Sequence, residues 1–494
     1  MKAVAGGPGG SSPQNDWDGL RVCVAGLGVS GRAAARVLAE RGARVTAVEG
    51  RDDAALRGHA AELEARGVRV RLGDGDTLPS DIDLVVTSPG WRPDAPLPAA
   101  AARAGIEIIG EVELAWRLAH GTRSEATEAA GGAGGRPPTE QSAGAAPWLA
   151  LTGTNGKTTA VRMLACILEA AGHRTLAVGN VGTPIVDAVL EKHDVLAVEL
   201  SSYQLHWSSS VVPFAAAVLN VAPDHLDWHG SLEAYTADKG KIYAPGTIAV
   251  VNADDPVSVR LGGANAIGFT LGVPRPGQLG VVEDLLVDRA LVPDPQSEAA
   301  ELAALADVRP FAPHNVANAL AAAALARAFG VPAEAVRAGL RAFVPDPHRI
   351  AHVATLDGVD YVDDSKATNP HAAASSLAAC ESAVWIAGGL LKGADVDELV
   401  RSCAGRLRAV VLLGADRAQI AAALARHAPK VPVVDVPDTD TGAMDRVVTE
   451  ASALAQPGDT VLLAPAGASF DMFASYGARG DAFAASVLRL AERR

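Results

Sequence analysis

The sequence predicts three consecutive α/β units, each built on a mostly parallel sheet. Three observations lead there. The chain has 494 residues, enough for about three domains. Short apolar runs alternate with helical patterns along nearly its whole length, the signature of parallel strands covered by helices on both faces. And two glycine-rich turns, Gly26–Gly31 and Gly153–Gly156, each follow an apolar run and open a helical pattern.

In the first unit, Arg21–Ala25 reads as a strand, the G-x-G-x-x-G turn Gly26-Leu27-Gly28-Val29-Ser30-Gly31 follows it, and Ala33, Val37 and Leu38 mark a helix. Arg44–Glu49 is the second strand, and its terminal acid stands near the spacing expected of a dinucleotide-binding turn. Residues 84–87 form a further strand ending at Ser88-Pro89-Gly90, and 105–119 read as a strand and then a helix. Residues 1–19 are polar and glycine-rich, and 121–147 are rich in Gly, Ala, Ser and Pro; both are expected to be disordered.

In the second unit, strands are expected at 148–151, 195–200, 215–220 and 247–251, with a strong helix over 314–329. Val344-Pro345-Asp346-Pro347 breaks the pattern and marks a junction. The third unit follows, with strands at 359–363, 383–387, 408–413 and 460–464.

Composition narrows the function. A formal net charge of -14 argues against a general polyanion-binding surface, so no nucleic-acid partner is expected and any phosphate must be held locally. Cys23, Cys166, Cys380 and Cys403 form no C-x-x-C pair, so reduced thiols in a cytoplasmic protein are the expectation. The N-terminus lacks a signal-peptide core, and no run of about 18 apolar residues predicts a membrane span.

The chemistry concentrates in Thr152-Gly153-Thr154-Asn155-Gly156-Lys157-Thr158-Thr159. Strand, glycine loop and helix together present backbone N–H groups to a phosphate. Lys157 is placed to reach terminal phosphates and the Thr158 hydroxyl to bind a metal ion. Leu151 stands where the general P-loop has its first glycine, so this is a shortened variant. Glu199 closes a strand beside that loop, where Mg²⁺ needs a hard oxygen; an acid favouring a helix N-terminus would look the same. Asp224-His225-Leu226-Asp227 suggests a second metal site, or a loop capped by Asp224. Lys239 and Lys241 read, on physics alone, as a solvated basic turn.

GTNGKTT, ELSSYQL, NVAPDHLDWHGS, ADKGKIY, HNVANALAA, PHR and DDSKATNP occur in this order, and together they resemble the Mur ligase superfamily of ATP-dependent amide-forming enzymes. GLGVSG, DSKATN and PAGASFDMF are most similar to its D-glutamate-adding branch. The resemblance implies a Rossmann-like N-terminal domain over 1–105, a central P-loop ATPase-type domain over 106–345, and a C-terminal Rossmann-like domain over 346–494. It implies a cytoplasmic ligase, expected as a monomer, that joins D-glutamate to UDP-N-acetylmuramoyl-L-alanine for peptidoglycan precursors through an acyl phosphate, with ATP, two Mg²⁺ ions and CO₂ held as a lysine carbamate.

It also implies roles at matching positions. Gly153, Thr154, Asn155, Gly156, Lys157, Thr158 and Thr159 would bind ATP, with Asn315, Asn318, Arg349 and Asp364 around its base, ribose or phosphates. Thr158, Glu199, His225 and Lys239, the last as the carbamate, would hold metal; Lys157, His225 and Lys239 would be catalytic. Gly28, Val29, Ser30, Glu49, Arg51, Ser88 and Asn180 would contact the UDP substrate. The first glycine turn would serve a dinucleotide equally well, and only the resemblance assigns it to the uridine diphosphate. Lys366, Thr368, Lys392, Ser469, Phe470 and Tyr476 would form the D-glutamate pocket. Two positions depart from the family pattern: Ala351 supplies no carboxylate after His348-Arg349, and Tyr476 alters the pocket's closing wall.

Overall fold

A computed structural model describes residues 17–121, 145–438 and 442–493. Most of the two segments expected to be disordered lies outside these residues. At their edges the expectation is corrected: Trp17 is buried, Gly19 N donates to Gly42 O at 2.9 Å, and Pro147 O accepts from Leu196 N at 2.9 Å. Contacts divide the chain into two compact units, one of Met1–Thr152, His173–Ala216 and Asp227–Ile248, the other of Gly153–Gly172, Ala217–Leu226 and Ala249–Arg494.

Three sheets carry the fold. The first contains β1 (Arg21–Ala25), β2 (Arg44–Glu49), β3 (Arg69–Leu72), β4 (Leu84–Thr87) and β5 (Glu107–Gly110) in the order β3-β2-β1-β4-β5, all parallel. Strands buried on both faces read as unbroken apolar runs, as β4 and most of β1 do. β5 pairs with β4 in register Leu84↔Glu107 to Thr87↔Gly110. The first sheet therefore runs to Gly110, past the expected boundary at 105, because Ile108 packs on the apolar layer of one face while Ile109 is buried on the other.

The second sheet contains β6 (Trp148–Thr152), β7 (Ala177–Gly179), β8 (Leu196–Glu199), β9 (Ala215–Val218), β10 (Ile248–Asn252), β11 (Ile267–Phe269), β12 (Gln278–Val282), β13 (Leu285–Asp288) and β14 (Ala300–Ala304). Its order is β14-β13-β12-β11-β10-β9-β6-β8-β7. The last three strands in sequence are antiparallel, an extension absent from the sequence reading. The β12–β13 turn is Glu283-Asp284 with Glu283 at φ 54°, so the usual Asn-Gly or Asp-Gly signal is missing.

The third sheet contains β15 (Ala351–Leu356), β16 (Val359–Asp363), β17 (Ala383–Gly388), β18 (Leu407–Leu413), β19 (Val433–Asp435) and β20 (Thr460–Ala466), ordered β15-β16-β20-β17-β18-β19. Only β15, joined to β16 through Asp357-Gly358, is antiparallel. Trp385 lies in the apolar layer on one face of this sheet and Phe483 in the layer on the other.

The helices Lys157–Ala170, Pro313–Ala328 and Ala333–Ala342 pack together. Pro313–Ala328 is buried almost all round, so it shows no amphipathic stripe. Gly339 permits a close approach between the helices Ala333–Ala342 and Lys157–Ala170, because a Cβ there would overlap the backbone of Ile167.

Candidate active site

The P-loop begins where β6 ends. Gly156 takes φ 84° and precedes the helix Lys157–Ala170, so the free N–H groups of the first turn lie at the loop. Asn220 clamps the loop: its Oδ1 accepts from Thr154 N at 3.1 Å and Asn155 N at 2.9 Å, while its Nδ2 donates to Asn155 O at 3.1 Å. Thr154 Oγ1 bridges Ala222 N and O. Lys157 Nζ donates to Gly153 O and Thr154 O, both at 2.9 Å, and so lies folded along the loop. Thr158 is half-buried in the first turn, and Thr159 is buried behind it.

Asn315 and Asn318 are buried, and Asn318 Nδ2 donates to Asn315 Oδ1 at 3.3 Å. The Asn318 side chain reaches Gly156 itself. Asn155 also touches the third sheet's domain: its amide meets His371 Nδ1 at 2.9 Å, and its Oδ1 accepts from Asn369 Nδ2 at 3.2 Å. Arg349 pairs with Asp346 at 3.6 Å. Burial pushes the Asp364 carboxyl up to about 6, although Ser376, Arg349 and Ile350 N act against that rise.

Glu199 ends β8, level with Leu151 of β6. It is not a helix cap, because Ser201 caps the next helix with a capping box to Gln204. Asn180 Nδ2 donates to Glu199 Oε1 at 2.8 Å, whereas the buried Oε2 has no hydrogen-bond partner among the described residues. A buried carboxylate oxygen left open fits a cation. Among the described residues, no three His, Cys, Asp or Glu side chains gather to hold a metal by themselves. Asp224 Oδ1 accepts the N–H of His225, which supports the capped-loop alternative for Asp224; His225 is exposed at φ 54°.

Lys239 overturns the solvated-turn expectation. It is 1% exposed, with Nζ 3.5 Å from Thr152 Oγ1 and 4.5 Å above the Tyr235 ring. Lys241 alone matches that expectation, half out in solvent with its ammonium 2.9 Å from Asp238.

At the first glycine turn, Glu49 spends both oxygens on the protein: Leu27 N at 3.0 Å and Arg51 N at 3.1 Å. It fixes the turn, and Gly28 and Val29 stay exposed on it. Ser30 hydrogen-bonds Glu111, whose carboxyl is raised by burial against that bond and backbone N–H groups. Ser88 and Trp91 flank the turn, each within 3 Å of where a Cβ on Gly26 would lie. Trp91 was not singled out in the sequence, although it directly follows Ser88-Pro89-Gly90.

In the C-terminal domain, the loops bearing Lys392 and Ser469 are joined by a two-way backbone bridge, Leu390 N to Ala468 O and Ala468 N to Leu390 O, both 2.8 Å. Lys366 Nζ lies 3.4 Å from the Tyr476 hydroxyl, and Thr368 N donates to Lys366 O. Lys392 and Phe470 are exposed and Ser469 is buried. The sequence reading missed Arg479, which is 1% exposed and donates to Ser365 Oγ at 2.9 Å, Ser365 O at 2.8 Å and Gly467 O at 3.0 Å. Burial lowers its pKa to about 10, against the pull of Asp471 and Asp363.

Three family profiles match along this framework: a MurD-like N-terminal domain over 20–110, a Mur ligase middle domain over 151–326, and a Mur ligase glutamate ligase domain over 348–467. The chain belongs to the Mur ligase family. It is 63% identical to the UDP-N-acetylmuramoylalanine–D-glutamate ligase of Thermobifida fusca over 96% of this chain and 99% of that one. It is 48% identical to the Mycolicibacterium smegmatis protein of the same name, over 95% and 96%. Among solved structures, the Mur ligase fold is shared with a pseudomurein peptide ligase type C from Methanothermus fervidus (TM-score 0.57, 16% identity, 95% of this chain and 100% of that chain). It is shared as well with MurF ligase from Thermotoga maritima in complex with ADP (TM-score 0.55, 16% identity, 97% and 100%).

Proposed function

We propose that this Mur ligase uses ATP to join D-glutamate to UDP-N-acetylmuramoyl-L-alanine. The observation that carries the reading is the 63% identity, over nearly the full chain, to ligases of that name, in a chain that retains the P-loop, Glu199 and Lys239. Cytoplasmic location and a monomeric state belong to the same reading. Among the described residues no helix is long and apolar enough to cross a membrane.

The carboxylate of the L-alanyl end attacks the γ-phosphorus of ATP, and the bond to the β-bridging oxygen breaks, giving an acyl phosphate and ADP. Lys157 and the N–H groups at the start of its helix offset the charge of the transferring group. The D-glutamate amine then attacks the acyl carbon. Its nitrogen gives a proton to water, the bond from carbon to the phosphate oxygen breaks, and amide and phosphate leave. Mg²⁺, when bound, would neutralise phosphate charge, with Thr158, Glu199, His225 and the Lys239 carbamate as its holders. That carbamate forms when the neutral Nζ adds to CO₂, a C=O electron pair moves to oxygen, and nitrogen gives its proton to water. It replaces a cation by an anionic oxygen ligand, which a buried lysine near a metal requires.

Gly28, Val29, Ser30, Glu49, Arg51, Ser88 and Asn180 remain the proposed UDP-substrate residues, with Glu49 and Asn180 acting through the loop and through Glu199. Asn315, Asn318, Arg349 and Asp364 are proposed for the nucleotide, and Lys366, Thr368, Lys392, Ser469, Phe470 and Tyr476 for D-glutamate. The domains are proposed as N-terminal to Gly110, central to 345 and C-terminal from 346. The test is ADP formation across UDP-muramoyl precursors and amino acids. Turnover requires UDP-N-acetylmuramoyl-L-alanine and D-glutamate together, and faster turnover with another amino acid or acceptor overturns the assignment.

A further inference from the structure

Behind Lys239 lies a polar cluster that the reaction above does not use. Asp238 is 7% exposed, and its Oδ2 meets His206 Nδ1 at 2.8 Å and His229 Nδ1 at 3.1 Å. Its Oδ1 pairs with Lys241 Nζ at 2.9 Å, and Lys241 Nζ also donates to His206 O at 2.9 Å. The far nitrogen of His229 lies 3.0 Å from Ser202 Oγ. The His229 side chain is almost fully buried, stacked on Tyr203 at 5.5 Å and edge-on to Tyr235 at 5.2 Å. Tyr235 is the ring beneath Lys239 Nζ.

These contacts tie three segments: the helix Ser202–His206, which starts three residues after Glu199; the turn Leu226–His229; and the helix Leu232–Gly240, which carries Lys239. The Asp238 carboxylate, on the last of these, is met by His206 and His229 from the other two and by Lys241 just past its own helix. Burying a charge costs several kcal/mol unless it is fully partnered, so a carboxylate with this many donors fixes one arrangement of them. A helix held at residue 238 fixes the direction in which residue 239 leaves it.

We propose that Asp238, through His206 and His229, is a positioning residue that holds Lys239 and the Tyr235 ring in the geometry that lets Lys239 carry its carbamate. The inference rests on the carbamate reading above. Asp238 touches no substrate; it acts through Lys239.

Two measurements on the full chain test it. With ¹³C-bicarbonate, the unmodified chain shows a carbamate resonance that Lys239→Ala removes. Asp238→Asn keeps the side-chain shape, yet it weakens that resonance and lowers ligation kcat about 10- to 100-fold, the usual cost of losing an orienting partner. Second, Asp238→Asn is placed in a Lys239→Ala chain whose turnover is restored by a short-chain carboxylic acid. There it costs less than about twofold, because the side chain it positions is gone. An equal loss in both backgrounds, or an Asp238→Asn chain with full resonance and full kcat, overturns the positioning role alone. An unmodified chain without the resonance overturns the carbamate reading and this inference with it.

Discussion

Asn318 fills the space that Gly156 leaves: a Cβ on Gly156 would overlap the Asn318 amide. Gly156 also sits at φ 84°, where an L side chain is strained. The two constraints act on the residue that precedes Lys157. Gly156→Ala is therefore expected to destabilise the chain by about 1–3 kcal/mol and to weaken ATP binding, because the loop must shift away from Asn318. Thermal melting with and without ATP checks both effects: the stabilisation that ATP gives the unmodified chain should shrink in the variant. A variant that melts and binds like the original shows that the loop tolerates the shift.

Arg479 predicts a defect at a distance from the P-loop. Its guanidinium satisfies Ser365 O, Ser365 Oγ and Gly467 O, backbone neighbours of Lys366 and Ser469. Lysine carries one ammonium and cannot reproduce the planar fork. Arg479→Lys should cost about 1–3 kcal/mol for acceptors left unmade. It should also raise KM for D-glutamate more than KM for ATP. Equal KM values for D-glutamate in the two chains would remove Arg479 from the pocket's support.

Arg479 also shows where sequence reading stops. In the sequence it stands among alanine and glycine inside a helix and carries no motif. Only the close approach of the loops before Lys366 and Ser469 makes it a hub. Most of the parallel strands were legible because burial on both faces leaves apolar runs such as Leu84–Thr87, whereas the short parallel strands β3, β7, β11 and β19 were not read. β12–β14 were not, because the turn at Glu283-Asp284 lacks glycine or asparagine. β15 was too weak a run to register, because four of its six residues are alanine, histidine or threonine, and the Asp357-Gly358 turn that follows it was not read either. Lys239 was legible only through the family resemblance. Its spacing suggests a surface turn, and its burial depends on Tyr235 and on the partners of Asp238.

The first glycine turn separates folding from binding. Gly28 has φ -66° and open space where a Cβ would be, while a Cβ on Gly31 would overlap Gly26 O. Gly28→Ala should change stability by less than about 0.5 kcal/mol yet raise KM for the UDP substrate, since the methyl would stand where a pyrophosphate approaches the helix start. Gly31→Ala should lose about 1–3 kcal/mol through overpacking. If Gly28→Ala leaves KM for the UDP substrate unchanged, the turn is not where the diphosphate binds.

His314 sets a pH dependence of stability. Its Nδ1 is buried without a hydrogen-bond partner among the described residues. Desolvation first, then the charges of Arg349 and His371, push its pKa down to about 4, against a bond involving the Ser375 backbone. The unfolded chain, with a histidine near 6.5, then binds more protons than the folded one between those two values. Stability rises with pH across that window; on acidification, the loss begins near pH 6.5 and is complete below about 4, amounting to at most about 3 kcal/mol. The charge of Arg349 makes the imidazolium costly, so replacing the ring removes this part of the dependence. In His314→Gln, the difference in melting free energy between pH 7 and pH 4.5 should be smaller than in the unmodified chain. An identical difference in the two chains would mean that His314 takes up its proton in the folded state as readily as in the unfolded one.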